Sequence, residues 1–276
     1  MNAKRKSGLL CTILLGSLFV APSVGFGEET NSYVSDGIIQ YKQEEIPDVI
    51  ITPPTKEEPE IDQPKPNETK GLLMIMGATP VDFGINEATN AQKEYYAANF
   101  STFETATPEN AVTSEHFVKF RDLRAVEKHN YTITAQMTKQ FTIRNADGTD
   151  GPVLKGAKLD YSNLRLETTD ANALAGNKPS VVAADNEATL ATAIGLAPDN
   201  DGVSAGSQVQ VLDVHADSNK GFGVFDIVFG TLGATEENLK SERSVKLTVP
   251  ANLAIVAGKQ YKADITWTIA EIPLAS

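Results

Sequence analysis

The last sixteen residues, Y-K-A-D-I-T-W-T-I-A-E-I-P-L-A-S (261–276), hold the only tryptophan of the chain, Trp267, inside a pattern that fits one conformation. Tyr261, Ala263, Ile265, Trp267 and Ile269 fall on one side of an extended backbone, and Lys262, Asp264, Thr266 and Thr268 on the other. That period of two marks a half-buried strand. A strand so close to a chain end must be tied into a sheet, because untethered termini are usually disordered. Pro273 has no N–H to donate and ends the ladder.

Similar runs recur upstream. F-V-K-F-R-D-L-R (117–124) alternates, and Y-T-I-T-A (131–135) alternates again after a polar turn. G-L-L-M-I-M-G-A-T-P-V-D-F-G-I-N (71–86) reads as a buried strand that turns at Pro80 into a second one ending at Gly84, with Phe83 plugging a core. L-K-G-A-K-L-D-Y-S-N (154–163), Q-V-Q-V-L-D-V (208–214), G-F-G-V-F-D-I-V-F-G (221–230) and S-V-K-L-T-V-P (244–250) follow at turn-separated intervals. Regularly spaced strands with Gly, Asn and Pro between them predict an all-β fold, an antiparallel β-sandwich of Greek-key-like connectivity. Residues 88–115 read as irregular with one short helix over 91–98, and 171–201 as loops with short strands around Val181 and Val182. Near the N-terminus, Asp36-Gly37 reads as a turn pair followed by a short strand, the whole stretch spanning about 33–43. Residues 44–70 alternate prolines with acids, a composition that favours an extended, solvated excursion beside a single body at 71–276.

The chain begins M-N-A-K-R-K-S-G, three positive charges, followed by an uncharged apolar run that closes on small residues before Glu28. This is the build of a secretory signal peptide over 1–27. Without Lys4, Arg5 and Lys6 the remaining chain carries 21 basic against 36 acidic side chains, a formal charge of −15. Cys11, the sole cysteine, leaves with that segment, so the mature chain is expected to have no thiol catalysis, Cys-based zinc site or disulfide scaffold. No later apolar run has membrane length, and no apolar segment with a basic tail closes the chain as a sorting signal would. Retention on a cell would then depend on non-covalent binding.

Signs of chemistry are sparse. His116, His129 and His215 sit beside different strands with no metal-pair spacing. Neither a G-x-S-x-G elbow nor a phosphate-binding glycine loop occurs, and the carboxylates are too scattered to nominate a glycosidase pair. No cofactor is expected, and the reading is of a protein that is not an enzyme. Lys119, Arg121, Arg124 and Lys128 gather locally, but acids interleave with them and the net charge argues against nucleic acid. Asp122 and Arg124, two apart, project from one strand face, where they can pair with each other; alternatively Arg124 holds a carboxylate or phosphate of a ligand.

The ending resembles the distal motif of the WxL domain family of Gram-positive surface proteins, Y-x-A-x-x-x-W-x-L-x-x-x-P. Tyr261, Ala263, Trp267 and Pro273 match it, and Ile269 stands in for Leu. Val118, Phe120, Asp122 and Arg124 are similar to the family's V-x-V-x-D-x-R segment, and Tyr131 and Ile133 occupy the place of its first W-x-L with both named residues replaced. Gly37, Ile38, Ile39 and Tyr41 resemble its N-terminal G-x-I-x-F strand, Pro80, Phe83 and Gly84 its P-x-x-F-G element, and residues 154–159 its L-x-G-A-x-L strand. The resemblance spans about 38–276. It implies one domain over 28–276, exported to the cell surface, binding peptidoglycan and assembling with a WxL-interacting protein and other co-exported components. It nominates Tyr131, Ile133, Trp267 and Ile269, with Asp122 and Arg124, as binding residues on two neighbouring strands, Tyr131 or Trp267 offering a ring face to a sugar or partner. The alternative is that Trp267 packs inside the sandwich and binding lies elsewhere. An adhesin that binds host matrix and is held at the surface only through a partner is the rival functional class.

Overall fold

A computed structural model describes residues 30–42, 71–103, 111–168, 176–217 and 220–273. The expected signal segment at 1–27 and the expected excursion at 44–70 lie outside the described residues. Seventeen strands follow in chain order: β1 (Thr30–Lys42), β2 (Leu73–Ala78), β3 (Val81–Glu87), β4 (Lys93–Tyr96), β5 (Phe100–Phe103), β6 (Ala111–Ser114), β7 (His116–Asp122), β8 (Lys128–Arg144), β9 (Asp150–Val153), β10 (Lys158–Ser162), β11 (Leu164–Glu167), β12 (Ala188–Leu190), β13 (Ala193–Leu196), β14 (Val209–Asp217), β15 (Gly223–Phe229), β16 (Val245–Val249) and β17 (Gln260–Glu271). Two single 3-10 turns, Glu237–Leu239 and Ser241–Arg243, precede β16.

The strands form an all-β, dominantly antiparallel sandwich. A curled seven-stranded sheet runs β12-β14-β8-β17-β1-β3, with β9 paired to β8. Two four-stranded sheets, β13-β10-β16-β4 and β11-β15-β7-β2, complete the body, and β5 and β6 form a separate hairpin. Among the named strands of the described residues, β1 with β3 is the one parallel pair. Among the named pairs only β5 with β6 and β8 with β9 join neighbours in sequence; every other ladder joins strands distant along the chain.

The sheets share one core. Trp267 of β17 sits 5.6 Å from the Tyr161 ring on β10 and 6.0 Å from Phe229 on β15, so the large sheet touches both smaller ones at that indole. Phe120 of β7 meets Tyr131 of β8 edge-on at 5.9 Å. Edge and tilted contacts of this kind add to the area each ring buries.

The expected terminal strand alternates throughout, its odd-numbered residues from Tyr261 to Ile269 all buried. It ends at Glu271, two residues before Pro273, and is held on both sides by β1 and β8. The run at 117–124 and the buried strand that turns at Pro80 are likewise as expected, though the second of that pair continues past Gly84 to Glu87. Gly84 has φ +70°, a backbone state that a side chain would strain.

Three expectations are corrected. Asp36-Gly37 is no turn: β1 runs straight through it, and Gly37 is needed for space, because a Cβ there would lie 3.0 Å from the Phe141 ring. Residues 91–98 hold no helix but contain β4, since Lys93–Tyr96 is pulled into register with β16. The segment around Val181 and Val182 is exposed loop; the strands of that region lie at Ala188–Leu190 and Ala193–Leu196, where partners on β14 and β10 exist.

Candidate functional site

The two strands that carry the nominated motifs are immediate neighbours. β17 pairs antiparallel with β8 so that Ile269 faces Ile133, Trp267 faces Ala135 and Glu271 faces Tyr131. Residues directly opposite in such a ladder share a face, which puts all four motif side chains on the inward side. Tyr131, Ile133 and Ile269 are 0 % exposed and Trp267 is 1 % exposed. The Trp267 indole donates its Nε1–H to Ser35 Oγ of β1 at 3.2 Å, and the Tyr131 hydroxyl donates to the Gly221 carbonyl at 3.3 Å. Burial drives the Tyr131 hydroxyl well above the ordinary phenol range. In this arrangement neither ring offers a face to a ligand. Trp267 is packed against Tyr161 and Phe229.

Asp122 and Arg124 close one end of the motif pair. Asp122 ends β7 with its carboxylate fully enclosed. Oδ1 accepts from the Arg124 backbone N–H at 3.0 Å and from its Nε at 2.9 Å, while Oδ2 accepts from Arg124 Nη2 at 2.8 Å. The same Oδ2 lies 2.8 Å from His129 Nδ1 at the start of β8. Arg124 Nη1 reaches Glu271 at the end of β17, also at 2.8 Å. Burial alone would raise the Asp122 carboxyl, but the hydrogen bonds from Arg124 and His129 outweigh it and hold the group below the ordinary carboxylate value. For Arg124 burial works downward, and pairing with Asp122 and Glu271 carries it above the ordinary value.

This clamp joins β7, β8 and β17 through four side chains. Asp122 and Arg124 do pair with each other, though Arg124 lies beyond the strand end. His129 and Glu271 are the members the residue pattern did not single out, yet it contained them: His129 is two before Tyr131 and Glu271 two after Ile269, so both lie on the buried faces of their strands. The guanidinium is bidentate to Asp122 and ion-paired through Nη1 to Glu271, so a ligand anion at this position would compete with carboxylates already in place.

His116 is also buried, its ring between the Thr79 hydroxyl (3.1 Å to Nδ1) and the Ala98 carbonyl (2.8 Å to Nε2). Burial pushes its pKa down to about 4 against the opposing pull of the Ala98 carbonyl. His215 is exposed on β14, 3.3 Å from Asp213. Among the described residues no three His, Cys, Asp or Glu side chains converge as a metal site, and no helix is long and apolar enough to cross a membrane.

The fold and its interior motif residues define a β-sandwich module in which the marked strands hold the body together while its outer faces meet the surroundings. Comparison with known families assigns it: the chain belongs to the WxL domain surface cell wall-binding family, whose model matches residues 28–273, nearly the whole length. No curated protein and no solved structure matches it.

Proposed function

We propose that this protein is a non-enzymatic surface module that attaches non-covalently to peptidoglycan and assembles there with other exported proteins, a WxL-interacting protein among them. The observation that carries this reading is the family match across residues 28–273. Composition constrains the mode of attachment. The whole chain carries 36 acidic against 24 basic side chains, and the anionic polymers of a Gram-positive wall would repel it at long range. Attachment therefore depends on short-range contact with the murein itself.

On this reading residues 1–27 are an export signal, residues 44–70 a spacer beside the domain, and the six nominated residues act from inside, by fixing the positions of the sheets whose outer faces bind. The test is co-sedimentation of the chain from Glu28 onward with sacculi stripped of teichoic acid. Sedimentation of the isolated chain is expected. If the chain stays in the supernatant alone and sediments only when co-exported proteins are added, attachment belongs to the partner and the adhesin or scaffold reading replaces this one.

A further inference from the structure

The outer face of the β13-β10-β16-β4 sheet carries a groove of about 910 Å³. Its floor is a straight row of side chains set by strand register: Gly195 opposite Asp160, Asp160 opposite Lys246, and Lys246 opposite Tyr96. The two 3-10 turns before β16 build one wall and bring Arg243 over the Tyr96 ring, with its guanidinium carbon 4.5 Å from the ring centre. The tyrosine is held in place by this contact and remains 36 % exposed on its edge strand. A Cβ at Gly195 would lie 3.1 Å from an Asp160 oxygen, so the absent side chain keeps that end of the floor open.

The charges of the groove cancel locally. Arg243 pairs with Glu237 at 2.8 Å, and Lys246 with Glu94 at 3.0 Å and Asp160 at 3.8 Å. Two cations and two anions line the groove, on a chain that is otherwise strongly acidic. Such a surface has no excess charge with which to hold an anionic polymer or a basic peptide. It offers an aromatic ring for the C–H face of a sugar, fixed donors and acceptors for hydroxyls, and in its lining the Asn238 side-chain amide for acetamido groups, beside Asn163, whose Nδ2 donates to the Asn238 carbonyl. Its volume falls at the upper end of the roughly 300–1,000 Å³ typical of small-ligand sites.

We infer that this groove is the saccharide-binding surface of the protein and takes a short stretch of uncharged, N-acetylated glycan, with Tyr96 stacked on one sugar ring. The inference rests on the wall-attachment reading and gives it a place on the molecule. It also connects the groove to the terminal motif. Asp160 and Ser162 of β10 point outward into the groove, while Tyr161 between them points inward onto Trp267. The motif tryptophan thus supports the groove floor from the layer beneath.

The experiment uses the chain from Glu28 onward, teichoic-acid-free sacculi, and chitotetraose as a soluble competitor. Tyr96→Ala and Gly195→Leu, the second filling the groove without removing the ring, are each expected to weaken sedimentation about tenfold with unchanged melting curves, while Tyr96→Trp retains binding. Millimolar chitotetraose is expected to release the parent protein. Parent-like binding by both weakened variants would overturn the groove and leave wall attachment standing. Loss of binding in the variants without competition by chitotetraose would overturn the glycan as occupant. Failure of the parent itself to sediment would overturn both this inference and the reading beneath it.

Discussion

Trp267 touches all three large sheets through Ser35, Tyr161 and Phe229, so its removal opens a hole where they meet. Trp267→Ala is expected to lower stability by about 3–5 kcal/mol, and Trp267→Phe by clearly less, in denaturant titration. Loss of wall binding in step with that loss would mark the tryptophan as a support rather than a contact. Asp122→Asn removes the buried carboxylate that Arg124 and His129 share, leaving Arg124 only the half-exposed Glu271 as counter-charge, and is expected to cost about 3 kcal/mol. His116 supplies a pH signature. Its folded pKa of about 4 lies below the 6.5 of the free side chain, so the unfolded state binds the proton first. Its contribution is complete above pH 6.5 and is lost progressively as pH falls toward 4, by about 3 kcal/mol at the lower end. Asp122, held below the ordinary carboxylate value, adds a second loss of the same sign at still lower pH. Denaturation midpoints measured from pH 7 down to 4.5 are expected to fall in the parent and to flatten in His116→Asn.

At the scale of strands, legibility tracked whether the cause lay inside the run or across the sheet. β17 was readable from its own alternation, and so was β7, because each buries one face only. β4 was not, since Lys93–Tyr96 is polar and becomes a strand only through β16, a hundred and more residues later in the chain. The groove that Tyr96 borders was invisible for the same reason: its row of side chains comes from four strands whose order no single run reveals. Asp36-Gly37 misled because the pair resembles a turn, whereas the glycine is there to admit the Phe141 ring from β8. Gly37→Val is accordingly expected to destabilise by about 1–3 kcal/mol through overpacking, without moving the ends of β1, as read by melting and by amide exchange along Thr30–Lys42. Of the nominated residues, Tyr131, Ile133, Trp267 and Ile269 point inward, as the β8–β17 register and the alternation of each strand require.

For the molecule as a whole, the decisive feature is that its first and last described strands lie side by side in the middle of the largest sheet, β17 between β8 and β1. A chain ending before Tyr261 would leave β8 and β1 with raw edges facing a gap, and is expected to show no cooperative melting transition and no near-ultraviolet signal from packed aromatics. β1 has no partner on its β17 side until residues 260–271 are in place. Thr30 opposite Ala270 is a pairing across most of the described chain, so the largest sheet closes through its least local contact, and its assembly is expected to be slow beside that of the β5–β6 hairpin.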